Sequence, residues 1–114
     1  NVIFLKERGK NDIWQGLHDF HLIESDNENI ELEKSLTEDQ ISASELLNES
    51  SEFKHILTHQ RITAKFYVIN VLNQKPFVNI LSEMKAYDRD AVLDVPIPKL
   101  IDNYLNEVFF SLAL

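Results

Sequence analysis

The stretch FKHILTHQRITAKFYVINVL, Phe53 to Leu72, carries the clearest periodicity in this chain. Ile62, Ala64, Phe66 and Val68 alternate with Thr63, Lys65, Tyr67 and Ile69, the pattern of a strand with one buried face. It predicts strands over 53–59 and 62–72 with a tight boundary at Gln60-Arg61. Toward the N-terminus, Thr37-Glu38-Asp39-Gln40 has the form of a capping box, with carboxylates in a first turn where the helix dipole favours them. A helix is predicted from there, with Ile41, Leu46 and Leu47 as its apolar face and Ser50-Ser51 as its end. Asn1 to Arg8 reads as a strand, Gly9 to Asp12 as a turn, Ile13 to Glu24 as short strands bent around Gly16, and Ser25 to Glu33 as an acidic loop. Toward the C-terminus, Phe77 to Leu81 and Met84 to Tyr87 read as further strands. Near Pro98 a helix begins whose apolar residues, at 97, 100, 101, 104, 105, 108 and 109, keep helical spacing. The expected fold is α+β, a mixed β-sheet packed with helices, in a single domain over residues 1–114.

At 114 residues the chain is long enough to bury a core without metal or disulfide support. It contains no cysteine, which removes disulfides, thiol nucleophiles, iron–sulfur clusters and cysteine zinc sites, and fits a reducing compartment. Two glycines are too few for a glycine-cradled phosphate loop. The longest near-continuous apolar run, Val108 to Leu114, is far short of the ~20 residues of a membrane span, so a cytoplasmic protein without a membrane partner is expected. The start at Asn1, inside a strand-like segment, reads as a piece cut from a longer protein. The net charge of −8 is unevenly placed: Glu24 to Glu52 holds ten acidic residues and one basic, whereas Phe53 to Lys65 holds Lys54, Arg61 and Lys65 and no carboxylate. A local basic strip of this kind can meet phosphates while the acidic face points away.

The carboxylates Glu28, Glu31, Glu33, Glu38 and Asp39 read as a solvated acidic face, since no histidine accompanies them as a metal partner. His18 and His21 are three apart in an extended segment and so face opposite ways. His55 and His59, four apart, share a strand face but lack two further ligands, so no zinc site is expected. A serine nucleophile has no Gly-x-Ser-x-Gly turn to present it. Trp14, Phe20, Phe66, Tyr67, Phe109 and Phe110 have rings able to stack on bases, although apolar alternation assigns most of them to the core.

Three segments carry a resemblance. Trp14-Gln15-Gly16-Leu17-His18-Asp19-Phe20-His21-Leu22-Ile23-Glu24 is similar to the pattern W-x-G-L-[WY]-[DE]-F-P-L-x-E. His55-Ile56-Leu57-Thr58-His59 is similar to H-x-[FL]-[ST]-H, and Pro96-Ile97-Pro98-Lys99-Leu100-Ile101 to P-x-P-[RK]-L-I. In this order they resemble the C-terminal domain of the A/G-specific adenine DNA glycosylases, the MutY family, a relative of the MutT (Nudix) fold. His18 and His21 depart from the pattern, standing where it has Trp or Tyr and Pro. A Gly followed by an R-E-x-x-E-E run, the mark of a Nudix hydrolase, is missing, which makes the Nudix box degenerate and pyrophosphohydrolase activity unexpected.

The resemblance implies a lesion reader without catalysis of its own. In the family an N-terminal domain holds the iron–sulfur cluster and the catalytic Glu and Asp; this chain itself is expected to hold no cofactor or metal and to act as a monomer. The implied partners are that catalytic domain and double-stranded DNA carrying 8-oxoguanine opposite adenine, in base excision repair, with a cytoplasmic, bacterial setting at the nucleoid. By motif position Leu57, Thr58 and His59 form the lesion-reading loop; Lys54, Gln60, Arg61 and Lys65 are the candidates for DNA-backbone contacts. Two other classes are distinguishable. A stand-alone Nudix-type nucleotide pyrophosphohydrolase would release phosphate from oxidised deoxynucleoside triphosphates with Mg²⁺. An acidic protein-interaction domain would bind a basic partner in a salt-sensitive way and no DNA.

Overall fold

Side-chain alternation and a few caps set most elements of this chain, and a computed structural model describes residues 2–10, 14–24 and 31–112. In order these are β1 (Ile3–Glu7), β2 (His18–Asp19), α1 (Leu32–Ser35), α2 (Glu38–Ser42), β3 (Ser44–Glu49), β4 (Phe53–Leu57), β5 (Gln60–Ala64), β6 (Tyr67–Val71), a 3₁₀ turn (Lys75–Phe77), α3 (Val78–Leu81), β7 (Lys85–Tyr87), α4 (Arg89–Val92), α5 (Lys99–Glu107) and a last 3₁₀ turn (Phe109–Ser111). The class is α+β. Among the described residues the strands form three antiparallel units, β2-β1-β7, β3-β6 and β4-β5. No helix of the described residues is long and apolar enough to cross a membrane.

The capping box is formed: the Thr37 hydroxyl accepts the Gln40 N–H at 3.1 Å and the Gln40 side chain accepts the Thr37 N–H at 3.0 Å. The helix it opens ends at Ser42 instead of running to Ser50. The Ser44 hydroxyl donates back to the Gln40 carbonyl at 2.7 Å, and the Ala43 carbonyl accepts the N–H groups of Leu72 and Asn73 at 2.8 and 3.2 Å. The chain therefore leaves α2 along β6. Leu46 and Leu47 belong to β3, and a register shift between Leu46 and Asn48 puts the two leucines side by side, concealing the strand period.

The long strand expected over 62–72 is two, interrupted at Lys65-Phe66. There the Ser50 hydroxyl accepts the Phe66 N–H at 2.8 Å and the Phe66 carbonyl accepts the Ser50 N–H at 2.8 Å, which turns the Phe66 ring inward. The connection between the two hairpin strands is Thr58-His59; Gln60 and Arg61, expected at the boundary, are already in β5. Phe77 to Leu81 is helical rather than extended, with Pro76 in the first turn and Phe77 buried. Glu33, placed in a loop by the sequence, lies in α1, and α4, capped by Asp88 accepting the Ala91 N–H at 2.7 Å, had no expectation. Asn11, Asp12 and Ile13, and the part of the acidic loop over residues 25–30 including Glu28, lie outside the described residues.

The core sits where α5 meets β1 and the aromatic side chains of β4 and the β5–β6 connection. Leu100, Ile101, Tyr104 and Leu105 form the buried face of α5, and the last three make the apolar centre with Leu5 and Val92. Each such buried aliphatic side chain contributes about 2 kcal/mol of transfer free energy. The Tyr104 ring stacks on Phe66 at 4.1 Å with 8° between planes and receives the edges of Phe53 at 5.8 Å and Phe20 at 6.3 Å. Its hydroxyl is buried without a hydrogen-bond partner, and burial pushes its pKa up.

Candidate functional site

The β4–β5 hairpin separates its side chains by register. Phe53 faces Ala64 and His55 faces Ile62 on the half-buried side; Lys54 faces Thr63 and Ile56 faces Arg61 on the outer side. Leu57 and Gln60 close the strands, and the two-residue turn Thr58-His59 is exposed at the tip. Leu57 is half-buried and roots the tip. Lys54, Gln60 and Arg61 are exposed, and among the described residues no carboxylate lies within ion-pair distance of Lys54 or Arg61. Ile56, 74% exposed, is a large apolar side chain set between these two cations. Sequence reasoning passed over Ile56 because an isoleucine in a strand suggests core; the alternation with Phe53, His55 and Leu57 was the available signal.

Lys65 is placed differently. Its ammonium meets Glu49 at 2.7 Å and lies 5.9 Å from the centre of the Tyr67 ring, and its pKa is raised by the hydrogen bond to Glu49. The structure thus brings Leu57, Thr58, His59, Gln60, Lys54 and Arg61 together on one hairpin and sets Lys65 apart from them. His55 and His59 do not share a face, because His59 belongs to the turn.

The first motif is structural. Gly16, at φ +82°, lets the chain turn so that its N–H reaches the Arg8 carbonyl at 3.0 Å while the Leu17 carbonyl accepts the Arg8 N–H at 2.8 Å. The Arg8 guanidinium donates to Asp19 Oδ2 at 2.7 Å and lies 5.5 Å from the Trp14 ring, and Asp19 Oδ1 accepts the Phe20 N–H at 2.7 Å. Asp19 stood in the first motif with no partner named for it, since only the pairing of β1 with β2 brings it into contact with Arg8, eleven residues away. Phe20 packs on the core instead of offering its ring to a base, as do Phe66, Phe109 and Phe110. The His18 N–H donates to the Pro96 carbonyl at 2.7 Å, and its Nδ1 is 3.2 Å from the same oxygen. The first motif is thereby fastened to the third, whose helix carries Tyr104, on which Phe53 at the foot of the hairpin packs. Three segments far apart in sequence converge on one framework.

A family model described as NUDIX domain matches residues 1–107. The chain belongs to the NUDIX domain family. No curated protein and no solved structure matches it. Divalent-cation chemistry in a NUDIX domain would need several carboxylates converging on one point. Among the described residues no three histidine or carboxylate side chains do so; Glu31, Glu33, Glu38 and Asp39 are exposed, and Glu31 is paired with Lys34 at 3.3 Å. The acidic side chains among the described residues do not fit such an ion.

Proposed function

We propose that this NUDIX domain is the lesion-recognition domain of an A/G-specific adenine DNA glycosylase, clamping duplex DNA and reading 8-oxoguanine opposite adenine, without catalysis of its own. The observation that carries the reading is the hairpin: an exposed Thr58-His59 tip joined to an outer face whose cations, Lys54 and Arg61, have no ion-pair partner among the described residues. 8-Oxoguanine differs from guanine by a C8 carbonyl and an N7–H, which turns an acceptor into a donor. The Thr58 hydroxyl accepts from that N–H but equally donates to guanine N7, so it discriminates only beside a fixed group, a main-chain amide or carbonyl of the Thr58-His59 turn. One such pair of bonds supplies ~1–3 kcal/mol of selectivity. Lys54, Arg61 and the Gln60 amide position the duplex through its phosphates. Lys65 joins them only by exchanging Glu49 for phosphate. Adenine is flipped and excised by a tethered catalytic domain, which carries the iron–sulfur cluster and raises the effective concentration of the reader at the mispair.

An amide-shift titration of the chain at low salt tests this, comparing duplexes with 8-oxoguanine·A and G·A. Shifts centred on Leu57 to Arg61, larger for the lesion and reduced by Thr58→Ala, are expected. Shifts centred elsewhere, or unaffected by Thr58→Ala, would overturn the assignment, and phosphate release from oxidised deoxynucleoside triphosphates with Mg²⁺ would restore the hydrolase reading.

A further inference from the structure

The hairpin leaves the acidic half of the domain without a role. There α1, α2, β3 and β6 border an open groove of about 410 Å³ whose apolar lining includes Leu36, Ile41, Leu46, Tyr67 and Ile69. Ile41 and Leu46 are 43% and 52% exposed, large for side chains that converge on one groove. Glu31, Glu33, Glu49 and Lys65 line the same groove, and of these glutamates Glu33 has no lysine partner among the described residues. The bordering elements, counted with the α1 cap Glu31 and with Lys65, bring six carboxylates and two ammonium groups, Lys34 and Lys65, each of which is already held by a glutamate.

We propose that this groove docks a basic amphipathic segment of a partner protein, its apolar side chains on the leucine and isoleucine lining and its lysines or arginines against the glutamates. The charge selects the occupant. A polyanion such as DNA is repelled here, and an acidic segment equally so, whereas a basic helix laying one apolar face in the groove satisfies both features. The site is separate from the hairpin and does not depend on the lesion reading.

The test uses the chain with a labelled peptide of Lys and Leu in amphipathic order and its Glu/Leu counterpart. The Lys/Leu peptide is expected to bind, more weakly as salt rises, and to shift the amides of Leu36, Leu46, Tyr67 and Ile69. Leu46→Gln, and independently Ile41→Gln, should each weaken it about tenfold, as expected when most of one apolar anchor is lost, and leave DNA binding and the melting temperature unchanged. Equal affinity for the Glu/Leu peptide, no binding, shifts spread away from the groove, or indifference to both variants would overturn the proposal. So would a concentration-dependent dimer abolished by Leu46→Gln, which would assign the groove to a second copy of the chain.

Discussion

Phe53 and Ile56 stand three residues apart on one strand and do opposite things. Phe53 packs edge-on against Tyr104 at 5.8 Å, while Ile56 is 74% exposed across from Arg61. A single exposed isoleucine is ordinary on a protein surface. What distinguishes this one is its company: the hairpin's foot is held by a ring of aromatic side chains, and its outer face holds cations that the fold does not use. The lesson is that one short element can be rigid at its base and available at its tip, so that stability and recognition are separable by substitution. The sharpest way to break that division is in the core. Leu105→Ala should cost about 3 kcal/mol, read from the urea midpoint, because Leu105 is 1% exposed and its removal leaves a cavity under the aromatic ring system. A loss below about 1 kcal/mol would mean the base of the hairpin is looser than its packing.

The next effect tests whether the first motif belongs to the framework or to the recognising surface. Asp19→Ala should destabilise by about 2–3 kcal/mol, somewhat under the cost of a fully buried pair because the Arg8 side chain keeps 14% of its exposure, and it should leave the Thr58 amide shift in place. A smaller effect comes from the one flaw in the core. Tyr104→Phe removes a buried hydroxyl that has no partner, so stability at neutral pH should hold or rise by up to about 1 kcal/mol. Its pH dependence has a definite sign. Burial raises the Tyr104 pKa above the ordinary 10.0, so the folded chain keeps a proton that the unfolded chain loses, and stability falls as pH rises beyond that value. Thermal melts above pH 10 should show this decline in the native chain and a shallower one in Tyr104→Phe.

Residue pattern revealed the base of the molecule better than its edges. The helix of Lys99–Glu107 was legible because Leu100, Ile101, Tyr104 and Leu105 repeat at helical spacing after Pro98, and the start of Glu38–Ser42 because Thr37 and Gln40 cap each other locally. Strand β3 was not legible: its bulge sets Leu46 beside Leu47 and imitates a helix face, and its pairing with β6 is a long-range fact. Val78–Leu81 is an apolar run too short for periodicity to separate helix from strand. At the candidate site, Leu57, Thr58 and His59 were singled out by the resemblance alone, and the structure sets them at the end of one hairpin. The different settings of Arg61 and Lys65 were hidden, because Glu49, which holds Lys65, lies sixteen positions away in sequence.

That last difference gives the finest test of the comparison, because it asks whether exposed charge or engaged charge meets DNA. Arg61→Ala and Lys54→Ala should each change folding stability by less than about 0.5 kcal/mol, since neither side chain has an ion-pair partner within the described residues. Each should lower the slope of log affinity against log salt by ~0.9 if it neutralises one phosphate. Lys65→Ala should change that slope little, because its ammonium is committed to Glu49 at 2.7 Å and so neutralises no phosphate. Fluorescence titrations of one 8-oxoguanine·A duplex at several salt concentrations compare the three variants directly. A slope that responds to Lys65 and ignores Arg61 would move the DNA from the hairpin's outer face to the Glu49 side. Responses at Arg61 and Lys54 alone would fix the duplex across the face that carries Ile56, and Ile56→Ser would then weaken binding without altering the slope, since it removes apolar contact with the sugar edge and no charge.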